Sequence, residues 1–134
     1  AYVIAPLQSD TAVAGLEALC PSWPLGAHGV ALLQAWCQPG VQDWVARSRD
    51  RLRLWKAQQE ALCASLGWRC LPSAASFFCA QPAIANLGAA LVGLRHASIK
   101  LRDAASFGLP GHVRLGVLPP PAQDALAKAW RMCQ

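Results

Sequence analysis

From Val41 to Leu66 the apolar side chains return at three- and four-residue steps: Val41, Trp44, Val45, Leu52, Trp55, Leu62, Cys63 and Leu66, with Ser48 and Gln59 on the same stripe. That period predicts one long amphipathic helix, and Gly67 stands where a glycine C-cap belongs. Upstream, residues 1–7 (AYVIAPL) read as a short buried strand ended by a proline. Ser9 or Asp10 can cap a helix reaching about Cys20, and Pro21 to Pro24 is a turn. A second helix through His28, Leu32, Leu33 and Trp36 is expected to stop at Pro39-Gly40.

Beyond Gly67 the rhythm shortens. Trp68 to Pro72 and Ser76 to Ala80 are strand candidates, and Ile84, Leu87, Leu91 and Leu94 form another helical stripe. Ser98 to Asp103 (SIKLRD) alternates apolar and polar residues, as does His112 to Leu118 (HVRLGVL) after the turn signal Leu109-Pro110-Gly111. Pro119 to Pro121 close that strand and open a last helix with Leu126, Ala129, Trp130 and Cys133 on its inner face. The fold class is therefore α+β: a small antiparallel sheet covered by helices on one face. No internal repeat and no low-complexity tract interrupts this order.

Composition sharpens the picture. Charged residues make up only 14% of the 134 residues and apolar ones 54%, which excludes disorder and points to apolar surface held against another domain or another copy. The net charge of +5 raises the question of an anionic partner. However, Arg47, Arg49, Arg51, Arg53 and Lys56 splay around most of a helix instead of lining one stripe, so they read as a solvated face and not as a nucleic-acid surface. No apolar run is long enough to span a membrane, and there is no signal peptide. The six cysteines include no C-x-x-C pair and no histidine at finger-like spacing, so no metal site is expected. They read as buried free thiols of a cytoplasmic protein. His28, His96 and His112 lie in unrelated contexts, and no nucleophile motif or carboxylate pair accompanies them.

Several segments nevertheless carry a resemblance, in order along the chain. These are AYVIA at residues 1–5, PSWPLGAHGVALLQAW from Pro21, LGWRCLPSAASFF from Leu66 and IKLRDAASFGLPGHVRLGV from Ile99. Together they resemble the carboxy-terminal small domain of fold-type-I pyridoxal-phosphate enzymes, in the branch with histidinol-phosphate aminotransferase and threonine-phosphate decarboxylase. The last segment, with its R-D … G-L … R pattern, is the most specific. Ser76 departs from the asparagine usual in that family.

The resemblance implies an intact enzyme that binds pyridoxal 5'-phosphate and an amino acid or amino-acid phosphate, and that is a homodimer. It implies that residues 1–40 end the large domain and include the linking helix, and that residues 41–134 form the small domain. Arg114 then corresponds to the arginine that grips the substrate α-carboxylate, where a planar, permanently charged fork matches both oxygens. Arg102 corresponds to a position near the carboxylate or phosphate end of the substrate, although it also pairs easily with Asp103 as an ordinary strand residue facing water. The Schiff-base lysine is expected upstream of Ala1, and Lys56, Lys100 and Lys128 lie in no matching motif, so this piece alone is expected to be inactive. Threonine-phosphate decarboxylation, a step of cobalamin biosynthesis, is the favoured reaction, with a histidinol-phosphate-type transamination next. A stand-alone anion-binding or regulatory module is the alternative of another class.

Overall fold

The computed structural model describes residues 5–6 and 8–133, and these fall into two compact units divided between Trp44 and Val45. The strand expected over residues 1–7 lies outside the described residues, except for residues 5 and 6, which carry no regular structure.

The first unit holds α1 (Asp10–Ala18), α2 (Ala27–Trp36) and the start of α3 (Pro39–Ser65). Val13 N–H donates to Ser9 O to open α1, and Asp10 sits in the first turn, where the helix dipole favours a negative charge. Neither α1 nor α2 buries a single residue. The break before α3 comes one step earlier than the sequence suggests, at Cys37 and Gln38, and Pro39 begins α3 instead of ending α2. At a first helical position its missing N–H would have no partner anyway, and its fixed φ already suits the helix.

The second unit continues α3 and adds β1 (Arg69–Cys70), β2 (Phe77–Gln81), α4 (Leu87–His96), β3 (Arg102–Asp103), β4 (Val113–Gly116) and α5 (Pro120–Arg131). The strands form one sheet in the order β1-β2-β4-β3, and every neighbouring pair is antiparallel. Phe78, Ala80, Val113 and Leu115 point to one face and are buried against Cys63 of α3, Leu91 and Leu94 of α4, and Leu126 and Trp130 of α5. Trp68 meets Trp130 edge to face with ring centroids 4.5 Å apart, the quadrupole-favoured arrangement. The helical stripe of α3 is the one the periodicity marks, except that Trp44 is 62% exposed.

Two helices end by the same device. Gly67, at φ +78°, lets its own N–H reach Ala64 O while Trp68 N–H reaches Cys63 O. At the end of α4, Ser98 takes the same left-handed conformation, φ +61°, and Ile99 N–H reaches Leu94 O. That second turn explains a shortened strand. Residues 98–101 are spent leaving α4, so of the expected strand over residues 98–103 only Arg102 and Asp103 pair. β4 likewise stops at Gly116, where a side chain takes over from a strand. Buried Gln59 donates through Nε2 to Gly116 O (3.1 Å) and accepts from Leu118 N–H (3.0 Å). Gln123 Nε2 donates to Leu118 O (2.7 Å) and Trp55 O (3.0 Å), tying β4, α3 and α5 together.

The cysteines are all free, but they are not all buried. Cys63 alone is fully buried, Cys70, Cys79 and Cys133 are half-buried, and Cys20 and Cys37 lie exposed in the first unit, where no core forms around them.

Candidate functional site

β3 and β4 pair so that Arg102 stands directly opposite Arg114, and on its other side Arg114 stands opposite Cys79 of β2. Since side chains alternate along a strand, this row projects from the face away from the core, which the burial of Val113 and Leu115 on either side of Arg114 requires. Arg102 is exposed and Arg114 half-buried. The expected sites are therefore brought together on one open sheet face.

Among the described residues no carboxylate forms an ion pair with either arginine. Among the described residues the ion pairs are Arg53–Asp50 and Lys56–Glu60, both on α3. Asp103, the natural partner for Arg102, turns its carboxylate to Ala105 N–H (2.9 Å) and helps open the loop to β4. Aromatic rings occupy the space beside the guanidiniums instead. Arg102 Cζ lies 4.5 Å from the centre of the Phe107 ring, and Arg114 Cζ lies 5.8 Å from Phe107 and 5.2 Å from Phe77. These rings were not singled out from the sequence. The available signal was Phe107 itself, an aromatic placed just before Gly108 in a hairpin loop, where no core could claim it.

Two like charges in register repel. Guanidinium forks of this kind match the paired oxygens of carboxylate or phosphate. A cleft of about 380 Å³ opens at the end of β4 on the helix-covered side, walled by residues 97–101, the end of β4 and α5, and Arg114 contributes to its rim. Its polar lining from Gln59 and Gln123 is already committed to the backbone, so the cleft offers chiefly apolar surface.

The histidines lie outside the strands of the arginine row and apart from one another in the element order. His112 is buried and its Nδ1 lies 3.0 Å from Pro110 O, while His28 and His96 are exposed. No group of three or more potential metal ligands occurs among the described residues. Ser76 has an exposed side chain, and its carbonyl accepts from Val117 N–H. The residues present do not fit pyridoxal phosphate. Lys56 Nζ is held by the carbonyls of Ser73 and Ala75, the latter at 3.1 Å, and Lys100 and Lys128 stand exposed. No helix of the described residues is long and apolar enough to cross a membrane.

No protein-family profile matches the chain, and no curated protein sequence matches it. Solved structures do. A protein of Burkholderia pseudomallei assigned as an aminotransferase superposes with a TM-score of 0.72 at 21% identity over 91% of this chain and 37% of its own. A decarboxylase of Sulfurospirillum multivorans gives 0.79 at 15% identity over 94% and 37%. The L-threonine-O-3-phosphate decarboxylase of Porphyromonas gingivalis gives 0.50 at 23% identity over 60% and 27%. The chain spans little more than a third of the length of the first two. At such identities what is shared is architecture: this chain has the fold of one section of an aminotransferase-class enzyme.

Proposed function

We propose that this chain supplies the substrate clamp of a pyridoxal-phosphate enzyme that acts on an amino acid bearing a second anionic group, with threonine phosphate as the favoured substrate and decarboxylation as the favoured outcome. One observation carries the reading. Arg102 and Arg114 face each other across β3 and β4 on an open face, with aromatic rings and no acid beside them. Arg114, half-buried and flanked by apolar neighbours, takes the α-carboxylate through both prongs of its fork. Arg102, exposed at the sheet edge, takes the phosphate at the other end of the substrate. Partial desolvation strengthens the first of these pairs and preorganisation on paired strands fixes their spacing.

In this reading residues 1–40 complete the large domain and its link, residues 41–134 are the small domain, and the cofactor's attachment lysine and ring ligands come from elsewhere in the protein. The cofactor supplies electron withdrawal when bound. The residues described here bind and orient the substrate, and they contribute no proton-transfer group to that clamp. A transaminase using the same clamp is the near alternative. A free-standing anion-binding module is the distant one.

The test is made in the intact enzyme. Arg114→Ala and Arg114→Lys should both lower kcat/KM for threonine phosphate by roughly 30- to 1000-fold, the loss of a bidentate charge-assisted pair worth on the order of 2–4 kcal/mol, with lysine giving little rescue. Cofactor affinity should stay nearly unchanged. Values within a few-fold of wild type would place Arg114 outside the site. Carbon dioxide released without a keto acid identifies the decarboxylase, and a keto acid without carbon dioxide identifies the transaminase.

A further inference from the structure

We infer that Phe107 is a positioning residue for this clamp: its ring holds the Arg102 and Arg114 guanidiniums together in the absence of ligand, in the place where an acid would otherwise stand. The inference rests on the anion-clamp reading and adds a residue to it.

Phe107 is an exposed aromatic that folding does not explain. Phe107 is 51% exposed, and it belongs to neither the buried core nor the partly buried shell around it. Its place is nonetheless well defined. It ends a short 3-10 turn, Ala105–Phe107, that starts from fully buried Ala104 and is closed by Gly108 in the left-handed region at φ +78°. Asp103 accepts from Ala105 N–H, and Phe107 N–H and Leu109 N–H both reach Ala104 O. This turn folds the ring back over the open sheet face, within cation–π range of both arginines.

A pair of like charges in register needs something to offset its repulsion. A carboxylate would do so, but it would neutralise the guanidiniums and compete with an anionic ligand for the same N–H donors. An aromatic face attracts both cations through its quadrupole and accepts none of their in-plane hydrogen bonds. The forks therefore stay oriented, charged and available. Phe77, 45% exposed on β2, gives Arg114 a second ring from the sheet itself.

The experiment uses this chain with inorganic phosphate and with L-threonine O-3-phosphate as probes. Dissociation constants are read from the arginine Nε–Hε resonances at fixed ionic strength. In the unliganded wild type, the Arg102 and Arg114 side-chain resonances should carry ring-current shifts that Phe107→Leu removes. Phe107→Leu, which keeps apolar bulk and lacks the ring, should weaken binding of both probes by about threefold to tenfold, and Phe107→Tyr or Phe107→Trp should restore it. Arg114→Ala serves as the control for the clamp. If Arg114→Ala abolishes binding while Phe107→Leu binds as wild type does, the clamp stands and the role given to Phe107 is wrong. If Leu, Tyr and Trp all weaken binding equally, the loop matters and the ring does not, which also overturns the inference. If Arg114→Ala changes nothing, the clamp reading itself fails and takes the inference with it.

Discussion

Cys63 shows how far one side chain's chemistry can move when a helix carries it into the core. Burial first, and then the neighbouring Cys70 thiol, push its pKa up to about 12. The folded protein therefore keeps this thiol neutral where the unfolded chain, with a value near 9.0, would ionise it. Below pH 9 both states hold the proton and the group contributes nothing to pH dependence. Above pH 9 the unfolded state loses the proton and the folded state does not, so Cys63 draws stability down by up to about 1.4 kcal/mol per pH unit until its folded value is passed. Comparing the pH dependence of urea midpoints for wild type and Cys63→Ala should expose that slope in the wild type alone between pH 9 and 11. Equal slopes would mean that Cys63 reaches water in the folded protein. Cys20 and Cys37, both exposed, should meanwhile react with a maleimide at pH 7.5 long before Cys63 does.

At the scale of elements, the helix ends at Gly67 and Ser98 share a backbone conformation but not a residue type, and this sets opposite expectations for mutation. A Cβ at Gly67 would meet only the Ala83 side chain, at 3.8 Å, so Gly67→Ala suffers from backbone conformation and not from a clash. It should cost on the order of 1–2 kcal/mol. Ser98→Gly relieves the same strain and should gain up to about 1 kcal/mol, less what the freer unfolded chain takes back. Chemical denaturation of the two variants checks both signs, and a destabilised Ser98→Gly would show that the serine side chain outweighs its strain. The pair also shows what was legible in the sequence. Gly67 announces a cap, and the stripes of α3, α4 and α5 announce their buried faces, because local periodicity decides both. Ser98 announces nothing, and so the strand expected from Ser98 begins only at Arg102. The ends of β4 depend on Gln59, which contacts it from 57 residues away in the sequence and read as one more polar residue on a helical stripe. In the candidate site, strand alternation announces that residues 102 and 114 belong to strands, while the roles proposed for Arg102 and Arg114 come from the family resemblance alone. Phe107 was not legible, because its meaning lies in what it lies beside.

Across the whole molecule the two units differ in kind. The unit from Val45 onward has a closed core. In the other, α1 and α2 bury nothing, and Leu16, Leu19, Trp23, Leu32, Trp36 and Trp44 are between 48% and 87% exposed. Apolar side chains at that density set the expectation of a surface that meets other protein, the same expectation that the low charged fraction raises. A chain starting at Pro39 keeps α3 whole and should unfold cooperatively. The full 134-residue chain should bind anilinonaphthalene sulfonate and self-associate with concentration, and the shorter chain should do neither. Sedimentation velocity decides this: a full-length chain that stays monomeric and silent to the dye would mean that these side chains form no interaction surface.

Gln59 has a consequence for the facing arginines, although it lies on the other side of the sheet. Its amide meets the carbonyl of Gly116 and the N–H of Leu118 in one alignment, so it acts as a gauge for the position of β4 along α3. A strand that slipped by one residue would exchange its two faces, turning Arg114 into the core and Leu115 out to solvent. The gauge makes that error visible to the fold, because neither hydrogen bond can be made out of step. Which way the Arg102–Arg114 row faces is thus proofread by a helix on the opposite side of the sheet.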